Sequence, residues 1–218
     1  MLEIVEKFIT LSGEAPAAGY PVFLIRFAEC NLQCRYCDTM YCGEVNEKTT
    51  VEKLCSEIRD REQNYPGIKI MFTGGEPLLA DRQKKLVRIM KKLPDSSFYI
   101  ETNGSQVIED FNIPGVHYVA DWKTPSSGYG DCFCLENLPR YRPANDCIKI
   151  VTAEEDLQWV LAKVGQIKKV NPLLPVYLSP QAGNISLEKL ASFIMEHKLP
   201  VSLSLQMHKI IWGDKRGV

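Results

Sequence analysis

No apolar run in the 218 residues approaches the roughly 18–20 residues that a membrane span requires. The first residues, Met1-Leu2-Glu3-Ile4-Val5-Glu6-Lys7, lack the basic-then-apolar order of a secretory signal. Neither a membrane nor export is expected, and a cytoplasmic location is the reading that remains. The formal net charge is only −1, from 26 Lys and Arg against 27 Asp and Glu. Such a balance sets up no global field toward nucleic acid or an anionic bilayer. Repeats, low-complexity tracts and linkers are also missing, so residues 1–218 read as a single domain.

Cysteine, by contrast, is plentiful. There are eight, and in a reducing compartment close spacing points to metal or redox chemistry rather than disulfides. Cys30, Cys34 and Cys37 follow a C-x3-C-x2-C spacing. Three thiolates on one loop can hold three irons of a [4Fe–4S] cluster and leave the fourth iron open. Zinc is the competing occupant, but a structural zinc site needs a fourth Cys or His. Cys132 and Cys134 could supply it, although C-x-C is tight and lies in another loop; spare thiols are the favoured reading there. Cys55 and Cys147 read as core, and Cys42 as packing beside the cysteine loop.

Strand-like and helix-like segments then alternate. Strands are expected at the N-terminus (to Leu11) and over 22–27, 68–72, 98–100, 116–121, 148–151, 176–178 and 201–205. Helices are expected from Val51, over Asp81–Leu93, Glu154–Lys169 and Ser186–His197, the first capped by Thr49 or Thr50. Residues 124–142 have no periodicity and read as a long functional loop. Alternating β and α segments imply an α/β fold with mainly parallel strands and outer helices. In such folds the site lies at the C-terminal ends of the strands.

Thr73-Gly74-Gly75-Glu76-Pro77 follows one of those strands and precedes a helix. The glycines let a ligand approach the backbone, and Glu76 is an anion able to hold an ammonium. Alone, an ordinary βα turn, which favours Gly anyway, is the preferred reading.

The cysteine triad followed by a strand ending in this Gly-Gly-Glu-Pro turn resembles the radical S-adenosylmethionine (SAM) superfamily. That resemblance implies a partial or modified TIM-type barrel, with the open iron binding SAM. Ser12-Gly13-Glu14, Arg26-Phe27-Ala28-Glu29-Cys30, Cys37-Asp38-Thr39, Glu101-Thr102-Asn103-Gly104 and the tail Gln206–Val218 are similar to the 7-carboxy-7-deazaguanine synthase family of queuosine and 7-deazapurine biosynthesis. This second resemblance runs over nearly the whole chain. It implies that a reduced cluster cleaves SAM to a 5′-deoxyadenosyl radical, which takes the C6 hydrogen of 6-carboxy-5,6,7,8-tetrahydropterin. Ring contraction and loss of ammonia then give 7-carboxy-7-deazaguanine.

The resemblance also implies roles for residues. Thr39 holds Mg²⁺, which takes few protein ligands. Arg26 pairs with the substrate carboxylate, for which its planar fork suits. Leu11, Ser12, Gly13, Glu14, Thr73, His208 and the terminal Val218 contact substrate. Tyr36, Cys37, Asp38, Gly75, Glu76, Glu101, Asp121, Trp122 and Lys123 contact SAM. Ser179-Pro180-Gln181 contacts the adenine or forms a plain turn. Lys123 and Lys149 reach the ligands or are rim charges. His117 and His197 read as structural. A flavodoxin- or ferredoxin-type electron donor and a homodimer are the implied partners. The chain departs from the family pattern at Ser12 and Ala15, where Gln and Gly are usual. It departs again at Asp121-Trp122, where Ser-Pro is usual. The competing readings are a glycyl-radical-enzyme activase and a small iron–sulfur or zinc module without SAM chemistry.

Overall fold

The computed structural model describes residues 1–213 and 215–218. Asp214, part of the tail motif, lies outside them.

The chain opens with strand β1 (Leu2–Leu11), which pairs antiparallel with β2 (Pro21–Phe27) and with the short edge strand β3 (Glu47–Thr49). Every later strand is parallel to β2. These are β4 (Lys69–Gly74), β5 (Phe98–Thr102), β6 (Val116–Asp121), β7 (Cys147–Thr152), β8 (Val176–Pro180) and β9 (Ser202–Leu203). The sheet order is β3-β1-β2-β4-β5-β6-β7-β8-β9. It is a partial TIM-type barrel, with β3 and β9 as edges among the described residues.

Helices α1 (Val51–Asn64), α2 (Ala80–Lys92), α3 (Leu157–Val170) and α4 (Leu187–Glu196) cover one face. Each presents apolar positions at helical spacing. Leu54 and Ile58 of α1, Leu86 and Ile89 of α2, Val160 and Val164 of α3, and Leu190 of α4 share one core with the strands. Thr50 caps α1 by accepting from the Lys53 N–H at 3.1 Å. Short 3₁₀ turns at Pro125–Ser127 and Leu135–Arg140 organise part of the long 124–142 segment. A last short helix, α5 (Met207–Trp212), follows β9. One expected strand shrinks, from 201–205 to Ser202–Leu203, and two elements are new, the edge strand Glu47–Thr49 and the helix in the tail.

Period-two alternation explains both faces of the sheet. Phe27, Phe72 and Phe98 point to the helices, where Phe72 packs 5.5 Å and 5.3 Å from the other two rings. Truncating such a fully buried ring to Ala costs about 3–5 kcal/mol. The alternate positions line the inner face. Leu24, Met71, Tyr99, Val119 and Cys147 form a second apolar cluster there, with Tyr177 packed against it. Two residues further along each of those strands the inner-face residue turns polar: Arg26, Thr73, Glu101, Asp121, Lys149 and Ser179. A dry floor thus lies beneath a polar mouth at the C-terminal ends of the strands. His117 belongs to the floor, stacked on Tyr99 at 4.5 Å. Cys55 and Cys147 are buried, as the sequence implies.

Candidate active site

The cysteine loop leaves β2 directly. It is held to the sheet by the turn after β4, because the Gly75 N–H donates to the Phe27 carbonyl at 3.1 Å and the Glu76 N–H to the Glu29 carbonyl at 2.8 Å. The two backbones approach so closely that a β-carbon on Gly75 would meet the Glu29 carbonyl oxygen at 1.8 Å. Only glycine fits there. Glu76 is fully buried, 0% exposed. One carboxylate oxygen accepts from the Leu78 N–H and the Thr102 hydroxyl, each at 2.8 Å, and the other from the Asn103 N–H at 2.7 Å. Its carboxylate therefore ties the β4 turn to the end of β5. Burial pushes the Glu76 carboxyl above its ordinary value despite these donors.

Cys30, Cys34 and Cys37 are free and half-buried. The Leu32 N–H and the Asn103 amide approach Cys30 Sγ at 3.4 Å and 3.8 Å. Burial pushes the Cys34 thiol up to about 11, so a bound metal must displace its proton. Among the described residues no three His, Cys, Asp or Glu side chains stand ready as a metal cage. The soft donors nevertheless fit an iron–sulfur cluster by type and by placement on one loop. That loop is buttressed by the 124–134 segment. Arg35 N–H donates to the Ser127 carbonyl at 3.1 Å, Gln33 N–H to the Tyr129 hydroxyl at 3.1 Å, and the Tyr36 and Thr124 hydroxyls lie 3.2 Å apart. Cys132 and Cys134 sit half-buried in this buttress. Between them Phe133 stacks on Trp122 at 4.2 Å. Cys42 sits beside the loop, its carbonyl accepting from the Glu29 N–H at 2.8 Å.

Arg26 and Thr39 meet. The Arg26 Nη1 donates to Thr39 Oγ1 at 3.2 Å, and the Thr39 hydroxyl donates to Asp38 Oδ1 at 3.0 Å. Thr39 is 4% exposed. Thr73 is the register partner of Arg26 on the neighbouring strand.

A buried charge cluster occupies the mouth opposite. Lys149 Nζ lies 2.5 Å from Glu14, 3.4 Å from Glu101 and 3.9 Å from Asp121. Lys123 pairs with Asp121 at 2.9 Å. Burial pushes the Glu14 carboxyl up, but the Lys149 ammonium, helped by the Gln206 amide at 2.7 Å, holds it at about 2. Burial dominates at Glu101 and raises it to about 7. Lys149 is thus the hub of the mouth rather than a rim charge.

The tail returns to this mouth. Met207 N–H donates to the Gly13 carbonyl at 2.8 Å, and His208 lies directly against Gly13. Burial holds the His208 imidazole below its ordinary value despite nearby Glu14, so it is uncharged at neutral pH. Leu11 ends β1, and Ser12 is buried, its hydroxyl donating to the Glu14 carbonyl at 3.2 Å. Val218 is half-buried. Two residues earlier, Arg216 stacks 3.6 Å over the Tyr41 ring.

The remaining predicted residues lie at the C-terminal ends of β6 and β8 or just past them. Asp121 Oδ1, Ser179 Oγ and Gln181 Oε1 are buried without a hydrogen-bond partner among the described residues. Such orphaned atoms at strand ends are what an absent polar ligand would satisfy. Pro180 ends β8 between two of them. Trp122 alternates to the opposite face, packed among the helix-side residues and edge-on to Trp159 at 6.0 Å. Its indole is therefore turned away from the mouth that Asp121 and Lys123 line.

The comparisons agree with this architecture. The Radical SAM superfamily model matches residues 24–113. The 7-carboxy-7-deazaguanine synthase of Clostridium acetobutylicum is 35% identical, covering 99% of this chain and 99% of the relative. That of Chlorobaculum tepidum is 34% identical, covering 100% and 97%. The crystal structure of QueE from Escherichia coli superposes with a TM-score of 0.71 at 24% identity, covering 95% of this chain and 94% of that one, which shows a common fold. With relatives above 30% identity aligned end to end, and a cysteine loop carried at the mouth of a partial barrel, the chain belongs to the 7-carboxy-7-deazaguanine synthase family.

Proposed function

We propose that this chain is a radical SAM lyase that converts 6-carboxy-5,6,7,8-tetrahydropterin to 7-carboxy-7-deazaguanine with loss of ammonia. The observation that carries this reading is the return of the tail to the mouth, with His208 packed against Gly13 and Arg216 on Tyr41, just past the cysteine triad. An activase acting on a protein glycine needs an open mouth. A closed-over tail suits a small substrate.

Cys30, Cys34 and Cys37 would hold the [4Fe–4S] cluster, which when bound and reduced supplies the electron that splits SAM. The Gly74–Glu76 turn takes the ammonium of SAM, and Tyr36, Asp38, Glu101, Asp121, Lys123 and the Ser179–Gln181 edge line its remainder. The orphaned oxygens of Asp121, Ser179 and Gln181 support that edge. Arg26 receives the substrate carboxylate. Thr39, with Asp38 at 3.0 Å adding negative charge, would hold a Mg²⁺ ion whose shell substrate and water complete. Leu11 to Glu14, Thr73, His208 and Val218 enclose the pterin. Residues 1–218 act as one domain. No helix among the described residues is long and apolar enough to cross a membrane, which supports a cytoplasmic setting. A flavodoxin- or ferredoxin-type protein supplies electrons, and two copies form a homodimer.

The test is anaerobic incubation of the reconstituted protein with SAM, a reductant and 6-carboxytetrahydropterin, followed by mass analysis. The expected product is 7-carboxy-7-deazaguanine. No product from a cluster-replete protein overturns the reading. Iron and sulfide in the protein, rather than zinc, separate it from a zinc module.

A further inference from the structure

We propose that Glu6 is a positioning residue that couples the seating of the C-terminal tail to the aim of Arg26. The proposal rests on the reading of Arg26 and the tail as substrate-facing, and the carboxylate of Glu6 stands between them.

The geometry begins with a bulge. β1 pairs Ile4 with Phe27, and regular antiparallel pairing would then set Val5 opposite Arg26. The register slips by one residue, so Glu6 takes that place. Bulges re-aim side chains in this way, often beside active sites. Here the slip keeps Val5 buried and turns a carboxylate onto the arginine.

Glu6 Oε1 accepts from Arg26 Nε at 2.7 Å and from the Tyr41 hydroxyl at 3.1 Å. Glu6 Oε2 accepts from Arg216 Nε at 3.4 Å, and Arg216 Nη1 reaches Glu44 at 3.1 Å. One carboxylate is therefore shared by an arginine of the barrel and an arginine of the tail, with Tyr41 as the shelf beneath the second. Arg26 has five N–H donors in a rigid fork. Glu6 engages Nε and Thr39 one hydrogen of Nη1, so among the described residues the outer edge of the guanidinium stays free for a planar carboxylate. Arg216, docked from the other side, keeps Glu6 in that pose. Burial pushes the Glu6 carboxyl up, but the bonds from Arg26, Tyr41 and Arg216 together hold it below the usual range, so it is charged at neutral pH.

Arg216 is about half-exposed, and exposed ion pairs add little to fold stability. Its effect is on where the tail sits. Tyr41 and Thr39 belong to the cysteine loop, so tail, loop and substrate arginine converge on one side chain.

The experiment compares cluster-loaded wild type with Glu6→Gln, Arg216→Ala and Arg216→Lys. Hydrogen exchange of residues 207–218 is expected to quicken about tenfold in Glu6→Gln and Arg216→Ala, because the docked tail opens more often. KM for 6-carboxytetrahydropterin is expected to rise about tenfold, a loss of binding rather than of chemistry. Cleavage of SAM without pterin should stay at the wild-type rate, and Arg216→Lys, which keeps the charge but not the planar stack, should fall between. Unchanged tail exchange in both Glu6→Gln and Arg216→Ala overturns the proposal. So does a fall in pterin-free SAM cleavage with KM unchanged, which marks Glu6 as merely structural. If wild type fails to turn over the pterin, the proposed function falls, while tail exchange in Glu6→Gln still decides the coupling.

Discussion

Gly13 lies so close to His208 that a β-carbon placed on it would meet Nδ1 at 2.1 Å and Cβ at 3.0 Å. The contact with Cβ means that turning the imidazole to another rotamer does not clear the space. The start of α5, tied to Gly13 by the Met207 N–H, must move as a unit. Gly13→Ala is therefore expected to lift the tail from the mouth. Product formation should fall by at least about tenfold through a raised KM. Iron content and thermal stability should stay near wild type, since α5 has no buried residue. Steady-state kinetics beside iron analysis checks this; unchanged KM would refute the packing reading.

A second prediction concerns stability alone. Three donors converge on the Glu76 carboxylate in a fully buried place. Glu76→Gln keeps the shape but turns an NH₂ group onto a donor. Donor facing donor leaves buried groups unpaired, at a cost of about 1–3 kcal/mol. Urea unfolding of the metal-free protein measures it directly, without any assay of catalysis. A loss well under that range would mean that the turn relaxes and the carboxylate is not the tie between β4 and β5.

Much of this was legible in the sequence, for identifiable reasons. Period-two alternation located the long strands, and three cysteines within one loop pointed to the end of the sheet that carries the candidate site. The short edge strand Glu47–Thr49 escaped because Glu-Lys-Thr carries no apolar signal. Its structure comes from pairing with β1, a tertiary effect. The helix Met207–Trp212 escaped because it has six residues and no side-chain cap. Asp121-Trp122-Lys123 was read as one contiguous contact, whereas a strand turns alternate residues to opposite faces, so Trp122 joins the helix-side core. Glu6 gave no signal at all. A bulge of one residue decides that it faces Arg26, and nothing in Glu3-Ile4-Val5-Glu6 announces a bulge.

Glu101 supplies a pH prediction. Its folded value of about 7 lies above the ordinary 4.5, and burial is the cause. Between those two values the folded chain keeps a proton that the unfolded chain has released. The stability from that proton is complete below the ordinary value and is lost as pH rises through about 7. Glu14 behaves oppositely. Its value of about 2 lies below the ordinary 4.5, so its contribution is present above 4.5 and is lost as pH falls toward 2. Infrared difference spectra should show a protonated carboxyl band that disappears near neutral pH and is missing in Glu101→Gln. Lys149→Met removes the cation that favours ionisation, so the band should persist to higher pH. A band unmoved by Lys149→Met would contradict the hub role of that lysine.

The tail end can be tested by length. Arg216 remains docked on Tyr41 and Glu6 whether or not residues follow it. Deleting Gly217-Val218 leaves that anchor and takes away the Val218 contact. Inserting one Gly between Arg216 and Gly217 instead moves Val218 outward by about 3.5 Å. Either change takes Val218 out of hydrogen-bond reach of its present place, so both should raise KM for the pterin by at least about tenfold. Pterin-free SAM cleavage should continue in each, because neither change touches the cysteine loop. A truncated chain with wild-type KM would show that the tail acts at the mouth through His208 and Arg216 alone, with no contribution from Val218.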